Sequence, residues 1–516
     1  MAIQEFSGAG SIRCGWDDGN ASTIVSVDRL TPLQKDRAAG VLVGAAAGDA
    51  LGAGYEFRLP CPPEDVTMLR GALTGRPAGS WTDDTDMALG IARVPADGHR
   101  LDEVGTQALV AERFLSWYAD RPPDMGSQTR AVLSATTQPT MLAEAALAYQ
   151  HAHPDAAGNG SLMRTGPVAL AHLGDDEAIA SAARAISALT HPHPLAGDAC
   201  VLWSIAIDRA VREGRLDGIW DGLALLASER RQFWEEMITT AETLPIGKLR
   251  PNGYVLTALQ AAHRAITSTA AAEGAGHLEA GLRQAVAIGD DTDTVAAIAG
   301  ALLGARYGAS AVPFAWRRRL AGWPRGVGHR DLVAMGVLAA SQGQPDSAGW
   351  PLADDLTGYY RENFAASGIC VELPGRPGVL WGDIAALGTA DAEAFVSLCR
   401  IGSKQRRGEH HEVWLMDGPD NADLPFVLAA TADAVETLRQ DHGSVFVHCV
   451  RWESRTPAVA VAWLVRHHGL NVNAALDEVR GALPGCQPNS VMLSALKSVT
   501  QRRGTPIVPR MPRRSR

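Results

Sequence analysis

Two short runs concentrate oxygen-bearing side chains. Trp81-Thr82-Asp83-Asp84-Thr85-Asp86 packs three carboxylates and two hydroxyls into five consecutive residues. Far downstream, Gly289-Asp290-Asp291-Thr292-Asp293-Thr294 has a similar composition and runs into the apolar stretch Val295 to Leu303. Carboxylates this close repel one another unless a cation neutralises them, and hard divalent ions take oxygen ligands. An isolated Asp-Asp pair is usually a solvated turn or a helix cap. Two Asp/Thr clusters at helix starts, inside an otherwise apolar region, could converge on a binuclear magnesium or manganese site.

A third run suits anions instead. His448-Cys449-Val450-Arg451-Trp452-Glu453-Ser454-Arg455-Thr456 follows the strand-like Val445 to His448 and precedes a helix from Pro457. Cys449 and Arg455 are separated by five residues. A loop of this length can wrap a phosphate, with backbone N–H groups pointing inward and a helix N-terminus beneath it. Cys449 is then a candidate nucleophile, and Arg455 a bidentate clamp on two phosphate oxygens. The bland alternative is a buried cysteine on a strand and a serine that caps a helix.

The elements that must carry these residues differ along the chain. From Thr31 to about Gln342 apolar residues recur at three- and four-residue spacing. Val104-Ala108-Ala111-Leu115-Tyr118, Ile179-Ala183-Ile186-Leu189, Val255-Leu259-Ala262-Ile266 and Val295 to Leu303 are such stripes, and this part reads as all-α. Gly343 to Ser347 is polar and turn-rich, a boundary signal. Beyond it, strands are expected at Gly368 to Leu373, Glu412 to Met416 and Ser444 to His448. Helices are expected at Asp391 to Cys399, Thr431 to Gln440 and Pro457 to His468. That alternation suggests a small α/β domain with a largely parallel sheet. The expected organisation is a loose lead-in over 1–30, a helical domain over 31–342, a linker over 343–357, an α/β domain over 358–500 and a basic tail over 501–516.

Composition bounds the rest. The chain has 516 residues, 46% hydrophobic and 20% charged, which excludes a disordered or rod-like chain and favours more than one domain. A net charge of -10 disfavours specific nucleic-acid or anionic-membrane binding. No apolar run approaches a spanning helix. The seven cysteines are odd in number, scattered and never spaced Cys-x-x-Cys, against both a disulfide framework and a structural zinc. No signal peptide is evident in MAIQEFSGAG, and a reduced, cytoplasmic protein is expected.

Residues 31–342 resemble the ADP-ribosylglycohydrolase family, with five motifs in family order. Gly44 to Gly52 (GAAAGDALG) is similar to its opening helix, Trp81 to Asp86 to its first metal motif, and Gly158-Asn159-Gly160-Ser161-Leu162-Met163-Arg164 to its Gly-Asn-Gly…Met-Arg loop. Thr190-His191-Pro192-His193-Pro194 is similar to its Thr-His motif, and Asp291 to Thr294 to its second metal motif. The resemblance implies an all-α bundle and two Mg²⁺ ions, Mn²⁺ being possible, held by Thr82, Asp83, Asp84, Asp291, Asp293 and Thr294. Asp290 and Asp86 are extra acids in that neighbourhood. It implies cleavage at C1″ of ADP-ribose through an oxocarbenium-like transition state, with proton work by Asp84, Asp291 or Glu56. It also implies substrate contacts from Asp124, Gly158, Asn159, Gly160, Ser161 and His191. Arg164 is read either as a buried ion-pair partner or as a phosphate ligand.

Residues of roughly 358–498 resemble the dual-specificity and tyrosine phosphatases through the His-Cys-x5-Arg signature. The resemblance implies Cys449 as nucleophile, Arg455 as phosphate clamp, Asp417 as general acid and Thr456 as the hydroxyl that assists the thiolate. Trp452 stands where that family usually has glycine, which questions the loop's shape, and Glu453 adds a negative charge. The expected fold is therefore multi-domain: an all-α ADP-ribosylglycohydrolase-like bundle, then a smaller α/β cysteine-phosphatase-like domain. The expected function is Mg²⁺-dependent removal of ADP-ribose from a protein side chain or a small molecule, with an appended phosphatase-like activity left open. Two alternatives remain: the phosphatase as the working enzyme, or a non-catalytic protein that binds ADP-ribose or phosphate.

Overall fold

The computed structural model describes residues 30–500 apart from Val104 and 323–325. The lead-in, the basic tail and Val104 of the first stripe lie outside the described residues. Two helices, Pro32–Gly52 and Thr292–Tyr307, form the axis of the helical part. The first is started by a capping box: Gln34 N donates to Thr31 Oγ1 (3.2 Å), and Thr31 N donates to Gln34 Oε1 (3.0 Å). Both helices are buried almost all round, so neither shows a polar face.

Their contact is a seam of small residues. A Cβ built on Gly40, Gly44 or Gly48 would lie 2.1, 2.3 or 2.0 Å from the carbonyl oxygen of Gly304, Gly300 or Ala296. One on Gly52 would lie 2.5 Å from the Asp293 Cα. Only glycine at this four-residue spacing lets the two backbones approach so closely. The seam brings Asp49, on the first helix, to the start of the helix that carries Asp293. The remaining stripes form helices over Thr106–Ala119, Asp176–Ala188 and Val255–Ser268.

The α/β part holds a five-stranded sheet in the order β1-β2-β5-β3-β4. The strands are β1 (Cys370–Leu373), β2 (Arg376–Asp383), β3 (Ala394–Ser397), β4 (Glu409–Glu412) and β5 (Val445–Cys449). β1 and β2 are antiparallel and the other pairs are parallel. Helices Leu424–His442 and Arg455–His468 complete its core.

Three sequence expectations are corrected here. Asp391 to Cys399, expected as a helix, contains the strand β3, all of whose residues are buried. A central parallel strand is apolar on both faces and shows no alternation to read. β4 precedes the expected Glu412 to Met416, because the four-residue ladder with β3 ends at Glu412. β2 was not expected; Pro377, Gly378 and Gly382 hide its pattern.

From Thr31 onward the chain forms one compact unit. The segment expected as a linker is packed, not free: the Trp350 and Trp414 rings meet edge to face at 5.7 Å, and Leu356 N donates to Gln405 Oε1 (2.8 Å). Phe314 of the helical part belongs to the α/β hydrophobic core. Arg318 bridges to Glu409 (3.0 Å) and Asp441 (2.8 Å), and Arg330 to Glu412 (2.7 Å). Among the described residues no helix is long and apolar enough to cross a membrane.

Candidate active site

In the helical part a cavity of about 420 Å³ is lined by Glu56, Asp83, Asp84, Asp124, Asp291 and Asp293, with no Lys or Arg among its lining residues. Two helix starts converge there, Asp83–Ala96 and Thr292–Tyr307. Asp49, which the sequence reading placed in a motif but gave no role, holds the first start in place. Its Oδ1 accepts from Thr82 N (2.9 Å) and lies 2.9 Å from Thr82 Oγ1, while its Oδ2 accepts from Thr85 N (3.1 Å) and Thr85 Oγ1 (2.6 Å). A carboxylate from another helix thus caps orphan N–H groups at this helix start. Thr82 Oγ1 also lies 2.9 Å from Asp84 Oδ2. Asp86 turns away from the cavity and accepts from the indoles of Trp81 (2.8 Å) and Trp117 (3.1 Å).

The second start is held from the loops. Asn159 Nδ2 donates to Asp291 Oδ2 (2.7 Å) and to the Asn252 carbonyl (3.1 Å), and Asp291 N donates to Asn252 Oδ1 (2.9 Å). The Asn159 amide nitrogen therefore orients an acid, while the residue also lines the cavity. Asn252, fully buried, had no sequence signal of its own. Asp290 does not cap the helix; its carboxylate accepts from Asn252 N (2.8 Å). Asp83 Oδ2 accepts from Gly126 N (3.1 Å), which pins the loop carrying Asp124 to the cavity rim.

The glycine turn works by close approach. A Cβ on Gly160 would lie 2.8 Å from His191 Cε1, and one on Gly158 3.5 Å from His191 Nε2. His191 is oriented through a relay: Arg164 Nη2 donates to Thr190 Oγ1 (2.6 Å), which lies 2.7 Å from His191 Nδ1. Burial, then the Arg164 charge, push the ring's pKa down to about 3. Arg164 makes no ion pair among the described residues; it lies 4.4 Å over the Phe114 ring. Ser161 is buried outside the cavity, bonded to Ser187 Oγ (2.9 Å).

The acids titrate as a crowded group. Burial, then the charges of Asp124, Asp291 and Asp83, push Glu56 well above the carboxylate range. Burial, then Asp49 and Asp83, do so for Asp84, and burial, then Glu56 and Asp84, for Asp293.

The second chemistry sits at the end of β5. Cys449 is buried. Arg455 Nη1 is anchored on the carbonyls of Leu398 (2.7 Å) and Leu415 (3.4 Å). Its Nε is buried without a partner, so the Nε–Nη2 edge is left for a bidentate acceptor. Trp452 takes φ +53°, the left-handed conformation that glycine adopts freely. Its indole, partly buried against the α/β core, donates to Ser367 Oγ (3.1 Å), and Glu453 is paired with Arg451 (2.6 Å). Asp417 Oδ1 accepts from Ser454 Oγ (2.7 Å) and Asn489 Nδ2 (2.7 Å). Thr456 Oγ1 donates to the Gly382 carbonyl (3.2 Å).

A family model described as ADP-ribosylglycohydrolase matches residues 30–348. The chain belongs to the ADP-ribosylglycohydrolase family. The model for the dual specificity phosphatase catalytic domain matches residues 396–502 of its C-terminal part. The chain is 33% identical over 304 residues to ADP-ribosylarginine hydrolase Tri1 of Pseudomonas putida (strain GB-1), covering 57% of this chain and 76% of that protein. It is 29% identical over 299 residues to ADP-ribosyl-[dinitrogen reductase] glycohydrolase of Rhodospirillum rubrum, covering 56% of this chain and 92% of that one. Its C-terminal part is 31% identical over 145 residues to mouse dual specificity phosphatase 28, covering 26% of this chain and 88% of that one. This is a glycohydrolase domain joined to a dual-specificity-phosphatase domain.

The donor set of the glycohydrolase cavity fits divalent cations. Asp49, Asp84 and Asp293 offer oxygens all within 4.8 Å of one another, and so do Glu56, Asp124 and Asp293. Asp293 is common to both groups, and Asp84 Oδ1 is buried with no hydrogen-bond partner. Asp83, Asp291 and Thr294 line the same cavity, while Thr82 is held behind it by Asp49. Asp49, Glu56 and Asp124 are thus candidate cation donors beyond the six residues expected from the motifs.

Proposed function

We propose that the glycohydrolase domain removes ADP-ribose from arginine side chains of modified proteins, with two divalent cations, Mg²⁺ or Mn²⁺, bound in the acidic cavity. The observation that carries this reading is the pair of carboxylate groups sharing Asp293, which lines a cavity with no Lys or Arg. Asp49, Asp84 and Asp293 would hold one ion, and Glu56, Asp124 and Asp293 the other. Bound cations would supply Lewis acidity beside the ribose hydroxyls. Glu56, kept protonated to higher pH by burial and by its acidic neighbours, is placed to pass a proton at the scissile bond. Asp124 at the rim offers a carboxylate to a departing guanidinium. His191, held neutral by burial and the Arg164 charge, offers a ring nitrogen at the cavity wall without adding charge.

One relative described above supports the arginine linkage by its name, ADP-ribosylarginine hydrolase, and the other supports a protein substrate, being named for ADP-ribosylated dinitrogen reductase. The test is ADP-ribose release from arginine- and serine-linked substrates, with Mg²⁺ and with chelator. Release from arginine that needs metal and is lost in Asp84→Asn supports the reading. Release only from serine, or release that survives chelation, sinks it.

For the phosphatase domain the reading is a phosphate-monoester site in which Cys449 attacks and Arg455 clamps. Trp452 keeps the glycine-like backbone, and its ring is held by Ser367 and the α/β core. A second reading is binding without turnover: Asp417 Oδ1 is engaged by Ser454 and Asn489, which ties up one oxygen of the expected general acid. Turnover of an aryl phosphate, abolished in Cys449→Ser, separates the two.

A further inference from the structure

A cavity of about 260 Å³ lies at the junction of the two domains, apart from both sites described above. Five arginines line it, Arg317, Arg318, Arg330, Arg400 and Arg406, against only Glu412 and Asp331. The two carboxylates are already engaged. Glu412 pairs with Arg330 (2.7 Å), and Asp331 Oδ2 accepts from Gly328 N (2.8 Å) at the start of its own helix. Arg318 is satisfied from outside the cavity by Glu409 and Asp441.

Three arginines remain without a hydrogen-bonded carboxylate. Arg400 lies 4.9 Å from the Trp350 ring centre and 4.0 Å from that of Trp414, with Asp346 no closer than 4.0 Å. Arg406, exposed at the mouth, donates only to the His410 carbonyl (3.4 Å). Arg317 is 7% exposed, its Nε is buried without a partner, and its guanidinium makes no hydrogen bond or ion pair among the described residues. The acidic field that reaches it comes from Asp36, but both Asp36 oxygens are taken by Ser310 (3.1 and 2.6 Å). The indole N–H groups of Trp350 and Trp414 also lack acceptors.

A buried guanidinium with no hydrogen-bonded acceptor among the described residues is costly. Here the unmet groups are donors, gathered round one space, and what they lack is an anion with several acceptor oxygens. We propose that the interdomain cavity is a binding site for a phosphate group, free or carried on a small sugar, with Arg317 at its core and Arg400 and Arg406 closing on it. Three cationic forks match a dianionic, multi-oxygen ligand better than a carboxylate. The site adjoins the phosphatase loop in sequence and in space. The Leu398 carbonyl anchors Arg455, and Arg400, two residues on, lines the cavity. The inference stands independently of the catalytic readings of both domains.

The test uses the full chain carrying Arg455→Met, which silences the phosphate loop. Inorganic phosphate and ribose 5-phosphate are titrated calorimetrically, and melting is followed in anion-poor buffer. Saturable binding of one or both is expected, and the tighter of the two names the source. Adding Arg317→Met is expected to weaken that binding at least ~10-fold, and to leave the melting temperature in anion-poor buffer unchanged or higher, because an unpaired buried charge has gone. No saturable binding, or equal affinity with and without Arg317, overturns the proposal. So does a chain that Arg317→Met destabilises even without phosphate, since Arg317 would then have a structural partner.

Discussion

The carboxylates of the glycohydrolase cavity titrate in the opposite direction to two ion-paired carboxylates of the phosphatase domain. In the cavity burial and mutual repulsion raise them: Glu56, Asp84 and Asp293 all stand above their ordinary range. In the phosphatase domain Glu409 and Asp433 are lowered, while burial raises Glu412 despite its pairing with Arg330. Hydrogen bonds from His411 and His442 hold Glu409 down at about 2. Burial would raise Asp433, but His467 and Arg466 outweigh it and bring it to about 2. One domain has gathered negative charge that needs a cation. The other has spent its carboxylates on partners and left Arg455 with an open edge for an anion. A buried charge cluster left unmatched within the chain points to what the chain binds.

The largest expected effect breaks one site and spares the other. Asp293→Asn, which touches both carboxylate groups, is expected to lower ADP-ribose release by roughly 10²–10³-fold or more, with aryl phosphate turnover unchanged. Cys449→Ser is expected to do the reverse. A single substitution that lowered both rates would contradict the separation of the two sites.

Next comes the glycine seam, which positions Asp49 against Asp293. Gly48→Ala puts a Cβ 2.0 Å from the Ala296 carbonyl oxygen. It is expected to destabilise the chain by about 1–3 kcal/mol and to weaken metal binding along with stability. Gly418→Ala, whose Cβ meets nothing within 4 Å, is the matched control with no effect expected. Equal melting temperatures for the two variants would show that the seam yields.

The opposite titrations give a smaller, pH-dependent effect. Glu409 and Asp433 have folded values near 2, below their ordinary 4.5 and 3.8. Their stabilisation is complete above the unfolded values and is lost as pH falls toward 2. Asp86 is pushed up to about 8 by burial, against the hydrogen bonds of Trp117 and Trp81. Its charged form costs stability, so the metal-free glycohydrolase domain gains as pH falls from 8 toward 4. Segment-resolved hydrogen exchange with chelator present is expected to show protection rising in the helical domain from pH 8 to 5, and falling in the α/β domain only below pH 4. Added Mg²⁺ is expected to protect the helical domain more at pH 8 than at pH 5, because protons and metal compete for the same oxygens. Parallel trends in both domains would contradict the contrast.

The smallest effect is at Trp452. Glycine there removes left-handed strain of about 1–2 kcal/mol and loses the indole bond to Ser367, worth about 1 kcal/mol. Trp452→Gly is expected to change stability by less than about 1 kcal/mol and to leave phosphate affinity intact. A large gain in turnover would show that the indole obstructs the loop.

Much of this was legible in the sequence, and what was not has physical causes. The Asp/Thr runs and the Cys-x5-Arg loop announce their chemistry because the ligands are local in sequence. The stripes over Thr106–Ala119, Asp176–Ala188 and Val255–Ser268 were visible because those helices keep a partly solvated face, whereas Val295 to Leu303 is apolar all round. β3 was missed because all four of its residues are buried. Asp49 was in plain view as the only acid between Val41 and Gly52, yet its capping of Thr82 and Thr85 depends on helix packing. Asn252, the Asn159–Asp291 bond and the cationic junction are assembled from distant segments, and no local pattern marks them. Ser161 sits within a motif and still faces the core, so motif membership alone does not decide which side chain meets a ligand.

The most direct test is calorimetric titration of Mg²⁺ into the chelator-stripped full chain at pH 7.5, beside Asp293→Asn. Two ions per chain are expected, with both sites lost or strongly weakened in the variant because Asp293 serves both. No binding by the parent chain, or the same binding in Asp293→Asn, would contradict a dinuclear centre in the glycohydrolase domain.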